Sequence, residues 1–350
     1  LSPTIQATKS NFTRAHQGDP QPYLDYFIGE KNTEIMVDQL QSEQGARFLK
    51  KRNRNIIVKI DEDFEINDNF CWLTLGQIKQ LMAIDNTVNM DTRSVISNIS
   101  FGNYDIEMLS YYDNVNDFRN NCSEYKNNLF KSYMNSNGSL HTMRHLMSWF
   151  TNLKSKYDYQ VESITLSRVE EWVRTNNEIS HKSGRYFSLI SVSADISGRE
   201  IQNWSQPLLK PVGKGLCTFL IKNINGVYHF LVQAKFEPGN FDIIEMAPTV
   251  QCLMDSSNIA GQKDKPPLLD FVLNAKQDNI RFSAIQSEEG GRFYHEQNLN
   301  MIIEVDEYFS IEEIPENFIW MSLNQLYEFI KHNNYVNIQA RSLIASLELI

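Results

Sequence analysis

The chain has 350 residues, 41% of them hydrophobic and 22% charged, with a formal net charge of −10. That length predicts about two globular domains, and the acidic balance excludes a general affinity for nucleic acid or an anionic membrane. No apolar run is long enough to span a bilayer, and Cys71, Cys122, Cys217 and Cys252 show no CxxC or paired spacing, so they read as buried free thiols in a reducing, cytoplasmic compartment.

In chain order, the Ile/Val-rich run at 55–60 is bounded by charged residues and predicts a buried strand, followed by a helix at 75–82 behind a Trp-bearing segment. Residues 103–138 have another texture, rich in Asn, Tyr, Asp and Ser. Next, Met143, Leu146, Met147, Phe150 and Leu153 recur at helical spacing and predict a helix opened by Gly138-Ser139. Such an apolar stripe is a core or intermodule packing face before it is anything else. A strand follows at 186–192. The runs 216–221 and 227–233 flank Asn225-Gly226, the pair that supplies the positive φ angles of a two-residue hairpin. A second buried strand at 300–305 and helices at 323–331 and just before Ser346 complete the order. The hairpins favour an α+β arrangement over a parallel sheet.

The later elements repeat the earlier ones. Leu1-Ser-Pro-Thr-Ile-Gln6 matches Met246-Ala-Pro-Thr-Val-Gln251 at an offset of 246 − 1 = 245, which holds through Gln41-Ser-Glu43 against Gln286-Ser-Glu288 and Arg47-Phe48 against Arg292-Phe293. After a small insertion the offset becomes 341 − 93 = 248, where Phe70-Cys-Trp72 meets Phe318-Ile-Trp320 and Arg93-Ser94 meets Arg341-Ser342. Similarity held in register over so long a stretch means two structural copies. The portion of the second copy from about Trp172 to Glu245 has no counterpart after Leu1, so the expectation is a two-module protein that lacks the front of its first module. The expected domains are 1–100, a helical connector at 101–160, and a complete second module at 161–350.

Three segments carry groups suited to chemistry. In Gln233-Ala-Lys-Phe-Glu-Pro-Gly-Asn240, a strand end that runs into Pro-Gly, Lys235 and Glu237 stand two positions apart and share a face if the strand continues. They can tune each other's proton affinity or form a structural ion pair. In His181-Lys-Ser-Gly184, ahead of an aromatic strand, His181 is an acid, a base, a donor or simply solvated. Trp204, with polar neighbours in Asn203-Trp-Ser-Gln-Pro207, suits a ligand or a core. The third segment, 3–16, gathers Thr4, Gln6, Thr8, Ser10, Asn11, Arg14 and His16, with Arg14 suited to phosphate and the hydroxyls to sugar. In the second copy Thr8, Ser10, Asn11, Arg14 and His16 become Leu253, Asp255, Ser256, Ile259 and Gly261, while the Pro-Thr and Gln framework persists. Residues dropped by a copy that keeps its framework are better candidates for binding than for architecture. GxGxxG, GxxxxGK[ST], HExxH and GxSxG motifs are all missing from the sequence.

Together these segments resemble the NDP-hexose 2,3-dehydratase family. The resemblance rests on His181-Lys-Ser-Gly184, Trp204-Ser-Gln-Pro207, Gln233–Asn240 and the opening Leu1–Arg14, reinforced by Gln41-Ser-Glu-Gln-Gly-Ala-Arg-Phe48 and its twin at 286–293. It implies an α+β tandem of two Nudix-like modules in a homodimeric hydro-lyase, acting on a dTDP-4-keto-6-deoxyhexose with no metal and no redox cofactor. The Nudix likeness is of fold only, since the metal-gathering Nudix box is absent from the sequence. The implied reaction removes the acidified C3 proton and expels the C2 hydroxyl, giving a 3,4-diketo-2,6-dideoxy sugar nucleotide. It needs a base, an acid and donors aimed at the enolate oxygen. On this reading His181, Lys235 and Glu237 are the catalytic set. Thr4, Gln6, Thr8, Ser10, Asn11, Arg14, His16, Ser183, Trp204, Gln233 and Asn240 line the substrate. Which module turns over stays open, and a non-catalytic nucleotide-sugar-binding protein is the alternative.

Overall fold

The computed structural model describes residues 1–6, 21–99, 123–134, 138–195, 203–254 and 265–348. In the first copy, a short helix α1 (Asp25–Ile28) precedes strands β1 (Glu34–Ser42) and β2 (Arg52–Lys59) and helices α2 (Leu75–Met82) and α3 (Met90–Ile96). Two helices, α4 (Glu124–Met134) and α5 (Met143–Lys156), lie between the copies. The second copy opens with β3 (Trp172–Arg174), β4 (Glu178–His181), β5 (Phe187–Asp195) and β6 (Asn203–Pro211). Next come β7 (Gly215–Ile224), β8 (Val227–Phe236), β9 (Ile244–Ala247), β10 (Val250–Leu253) and helix α6 (Leu269–Leu273). It closes with β11 (Ile280–Ser287), β12 (Gln297–Glu304), β13 (Phe318–Ser322), α7 (Leu323–Ile330) and α8 (Ile338–Ala345). Mixed strands and helices make the class α+β, as expected.

The elements after Leu24 recur at the offsets read from the sequence, down to their caps. Thr74 and Gln77 cap α2 reciprocally, and the Ser322 backbone N–H donates to Gln325 Oε1 at the start of α7. Asn89 accepts from the Thr92 N–H at 2.9 Å to start α3, and Asn337 accepts from the Ala340 N–H at 2.9 Å to start α8.

The core is the second copy's seven-stranded sheet, ordered β11-β12-β7-β8-β13 with β10 beside β7 and β9 beside β8. β7 and β8 are buried on both faces, and the faces divide by the period of two. Phe219, Ile221, Phe230 and Val232 meet α4, α5, α7 and α8, whereas Leu216, Leu220, Leu231 and Trp320 meet α6 and Phe309. Asn225 (φ 54°) and Gly226 (φ 79°) form the expected tight turn between them. Among the described strands every ladder is antiparallel except β12 with β7, so the large sheet is mixed.

Several expectations change. The 55–60 run is strand β2, but it is half-buried rather than buried, because it pairs only with β1 in a two-stranded sheet. Its twin β12 is buried because β11 and β7 flank it on either side. Helix α5 starts at Thr142, whose hydroxyl accepts from the His145 N–H, not at Gly138-Ser139. Leu146, Phe150 and Leu153 are its buried face, while Met147 is exposed. Residues 203–211, including Trp204, form strand β6, an element not among those expected, with Pro207 and Pro211 inside it. β6 sits at the edge of the sheet β3-β4-β5-β6, where a missing N–H is tolerated. Of the cysteines, Cys217 is buried, Cys252 is half-buried and Cys71 is exposed; Cys122 and residues 101–122 and 135–137 of the expected connector lie outside the described residues.

The two copies meet through reciprocal contacts. Arg93 donates to the Ser342 hydroxyl at 2.7 Å and the Ser287 carbonyl at 3.0 Å. Arg341 donates to the Ser94 hydroxyl at 3.3 Å and the Ser42 carbonyl at 2.7 Å. Gln41 donates to the Ile330 carbonyl, and Gln286 to the Met82 carbonyl. Each donor and acceptor pair is the other's counterpart in the repeat, which is the pattern of an isologous interface within one chain. Both arginines are fully buried, so these bonds replace much of the water each guanidinium lost, although Arg341 Nε has no partner among the described residues. Phe48 and its counterpart Phe293 meet edge to face at the same junction, with ring centroids 5.8 Å apart.

Candidate active site

β8 carries its alternation to Phe236 and then turns through Pro238-Gly239. Lys235, at that end, donates to the Gln251 carbonyl at 3.1 Å and stands 3.6 Å from Glu237 Oε1. Glu237 is buried and accepts from the Gln251 side-chain amide at 3.1 Å, and Gln251 in turn accepts from Asn337 at 2.9 Å. Lys235 and Glu237 therefore do stand side by side, as their spacing allows. The arrangement presents an ammonium next to a buried carboxylate whose oxygen is oriented by an amide.

The turn beyond them is a docking point for the first copy. Gly239 donates to the Gly45 carbonyl at 2.7 Å and accepts from the Lys50 N–H at 2.7 Å. A Cβ on Gly239 would overlap the Phe48 carbonyl, and one on Gly45 would overlap the Asn240 side chain, so both positions need glycine for close approach. Asn240 is buried, and its side-chain nitrogen has no partner among the described residues. Gln233 lies on β8, where it is paired between β9 and β13 and half-buried.

His181 is elsewhere. It is the last residue of β4, not part of a loop, and its Nδ1 lies 2.7 Å from the Ser183 hydroxyl. Its ring packs on Trp172 and Tyr186 with centroids 5.7 and 5.1 Å away. Among the described residues, no hydrogen bond or ion pair joins His181 to Lys235 or Glu237. The sheet that carries His181 instead packs against the turn after β11. Gln206 donates to the Gly291 carbonyl at 2.7 Å, Leu209 to the Arg292 carbonyl at 2.9 Å, and Trp204 donates to Gln206 at 2.8 Å. Arg47 of the first copy lies over the Phe187 ring at 4.7 Å.

At the other end of the junction, Gln6 donates to Asp91 and accepts from Asn89 at 3.2 Å. Thr4 is exposed nearby, whereas Thr8, Ser10, Asn11, Arg14 and His16 lie outside the described residues. Sequence reasoning missed the groups around Gln6. Asp91, Glu43 and Glu289 bring carboxylate oxygens within 4.8 Å of one another, and Arg292 donates to Glu43 at 2.9 Å and to Glu289. It also missed Glu245, which is buried, accepts from the Ser42 hydroxyl at 2.8 Å and lies near Arg341; burial pushes its carboxyl up to about 7. Glu288, buried beneath the twin turn, is pushed up to about 8 for the same reason. The signal was available: a charged residue kept in both copies amid apolar helix positions, as Arg93 and Arg341 are, marks a buried polar junction.

A sequence model of the NDP-hexose 2,3-dehydratase family matches residues 1–99 and 143–347, and the chain belongs to that family. Among curated relatives, it is 43% identical to a dTDP-4-dehydro-6-deoxy-alpha-D-glucopyranose 2,3-dehydratase of Saccharopolyspora spinosa, over 99% of this chain and 69% of that protein. Enzymes of the same name from Amycolatopsis orientalis and Streptomyces violaceoruber are 39% and 38% identical over 99% of this chain, covering 66% and 72% of their own lengths. The chain thus spans about two thirds of the length of these relatives. Two solved structures overlap it only loosely. An Ap4A hydrolase of C. elegans gives TM-score 0.22 at 9% identity, over 34% of this chain and 87% of its own. An ADP compounds hydrolase gives 0.29 at 10%, over 53% and 93%. No helix among the described residues is long and apolar enough to cross a membrane.

Proposed function

We propose that the protein is a hydro-lyase that dehydrates a dTDP-4-keto-6-deoxyhexose across C2 and C3. The observation that carries this reading is the family match through both copies, together with relatives named as dTDP-4-dehydro-6-deoxy-glucopyranose 2,3-dehydratases over 99% of the chain. The site chemistry suits it. The 4-ketone acidifies the C3 hydrogen, a carboxylate takes it, and a neighbouring cation stabilises the enolate oxygen or hands a proton to the departing hydroxyl. Glu237 beside Lys235 offers that pairing on the second copy, with Gln233 and Asn240 at its edges, His181 and Trp204 on the sheet β3-β4-β5-β6 and Ser183 in the turn after β4. The 4–16 segment, with Arg14, is the proposed nucleotide-sugar side of the first copy.

The proposed architecture is a tandem of two Nudix-like modules, 1–100 and 161–350, joined by the connector 101–160. Matched caps and strands at fixed offsets support it. A homodimer is also proposed, and light scattering on the purified protein tests it.

The test of function is direct. Full-length protein given dTDP-4-keto-6-deoxyglucose should release one water per sugar, read as an 18-dalton mass loss, which is the mass of the expelled water. Binding of dTDP without any mass loss would instead favour the non-catalytic binding protein. In the proposed set, Lys235→Met and Glu237→Gln report whether the second copy participates.

A further inference from the structure

Four strands of the second copy, β9, β10, β12 and β13, pair with β7 or β8. Among the described residues, only β12 of these also pairs with a further strand, β11. The first-copy counterparts divide along the same line. β2, the twin of β12, is a strand because β1 pairs with it. Residues 70–74, the twin of β13, are not a strand, and neither are 1–2 and 5–6, which match the described parts of β9 and β10. Each segment that depends on a β7 or β8 of its own has no ladder to join, so it stays irregular.

The side chains record the same gap. Trp320 is fully buried, whereas Trp72 in its place is 66% exposed. Met301, Ile302 and Ile303 are buried, but Ile56, Ile57 and Val58 are half-buried. Leu323, Leu326 and Phe329 of α7 are buried, but Leu75, Ile78 and Leu81 of α2 are half-buried. The layers that enclose β7 and β8 are nevertheless both in place. α2 and α3 form one, as α7 and α8 do. On the other side Phe64 and Trp72 keep the edge-to-face contact of Phe309 and Trp320, with ring centroids 5.9 and 6.0 Å apart. An open edge on a strand carrying Ile-Ile-Val, beside an exposed Trp, is a surface that folded proteins cover.

We propose that β2 and residues 70–74 bracket a docking slot for one β-hairpin, supplied by polypeptide of the full-length protein outside residues 1–350. Its first strand runs parallel to β2, as β7 runs beside β12, and its second antiparallel to 70–74, as β8 runs beside β13. Both strands are apolar on both faces, because α2 and α3 wait on one side and Phe64 and Trp72 on the other. A second copy of this chain cannot lend such a hairpin, since its own β7 and β8 are already enclosed, with Phe219, Leu220, Phe230 and Leu231 fully buried. Length is sufficient elsewhere. The Saccharopolyspora spinosa relative carries 31% of its length (100 − 69) outside the matched 349 residues, ample for two ten-residue strands such as β7 and β8. The slot rests on the tandem reading of the two copies.

The test is amide hydrogen exchange, read by mass spectrometry in the full-length protein and in residues 1–350. Residues 52–59 and 70–74 should exchange about 100-fold more slowly in the full-length protein. Full-length Trp72→Lys should return both segments to fast exchange and lower the melting temperature by about 5 °C or more. Leu166→Lys, at a second-copy residue that is 87% exposed, should change neither. In residues 1–350 alone, Trp72→Lys should leave the melting temperature within about 2 °C. Equal exchange of 52–59 and 70–74 in the two forms overturns the slot. If far-UV circular dichroism then shows the additional polypeptide to be rich in strand, the tandem reading stands without it; if that polypeptide holds no strand, the tandem reading falls too. Protection already present in residues 1–350 also overturns the proposal, and protection that fades on dilution would make a second copy the occupant. Turnover enters none of these outcomes, so the dehydratase reading stands or falls separately.

Discussion

The turn at 41–48 and the turn at 286–293 agree at all positions but Gln44/Glu289 and Ala46/Gly291, yet they do not share a setting. Gly45 is buried against Gly239 and Asn240, whereas Gly290 is exposed and a side chain there would meet nothing within 4 Å. Glu43 is held by Arg292 across the junction, while Glu288 is buried with its carboxyl pushed up to about 8. The repeat thus conserves the path of the backbone and the caps that start its helices. Chemistry is free to diverge at the few positions where each turn meets a different surface.

The largest effect falls on the buried arginines. Arg341→Leu removes the bonds to Ser42 and Ser94 and leaves Glu245 buried beside an apolar side chain. It should cost about 2–4 kcal/mol in urea unfolding, because the Ser42 and Val336 carbonyls lose a buried donor. Arg93→Leu should cost a similar amount, and the double variant should be less than additive, because both substitutions dismantle one junction. Additive losses would mean that the two halves of the exchange are independent.

The next largest effect is in pH. Glu245 and Glu288 keep their protons in the folded state up to about 7 and about 8, but lose them near 4.5 when unfolded. Between those values the folded protein holds more protons, so raising the pH favours unfolding. The melting temperature should fall from pH 5 to pH 8, and Glu245→Gln should remove part of that slope. A melting temperature that climbs over this range would contradict the buried, protonated carboxyls.

Gly45→Ala against Gly290→Ala is a sharper comparison of the turns. The first should cost about 1–3 kcal/mol through overpacking against Asn240, and the second should stay within about 0.5 kcal/mol. Equal costs would mean that the turns are equivalent after all. Smallest is the cap: Thr74→Ala should lose about 1 kcal/mol by removing one half of the α2 capping box, measured by urea unfolding.

Much of the fold was legible in local signals. Asn225-Gly226 announced its hairpin, the helical spacing at 143–153 its helix, and the register of the repeat its matched strands. Lys235 and Glu237 do meet, but not through a period of two, because β8 ends at Phe236 and Glu237 already belongs to the turn. What escaped was set by partners distant in sequence. Strand β6 hides behind Pro207 and Pro211, which only its edge position permits. The start of α5 shifted to Thr142 because a hydroxyl two positions before Arg144 captured a backbone N–H. The half-burial of β2 depends on which strands flank it, and no local pattern encodes that. The carboxylate cluster beside Gln6 was invisible for a related reason: Glu289 and Arg292, which meet Glu43 and Asp91 there, lie in the other copy.

Phe48 and Phe293 show where the likeness between the copies must end. In an edge-to-face contact one ring offers its hydrogen rim and the other its π surface, so the two partners have unlike roles. A true twofold axis between them would force like roles. The contact between Phe48 and Phe293 therefore hands a different job to each copy. Exchanging the two halves of this chain would not return the same molecule, however closely their sequences converged.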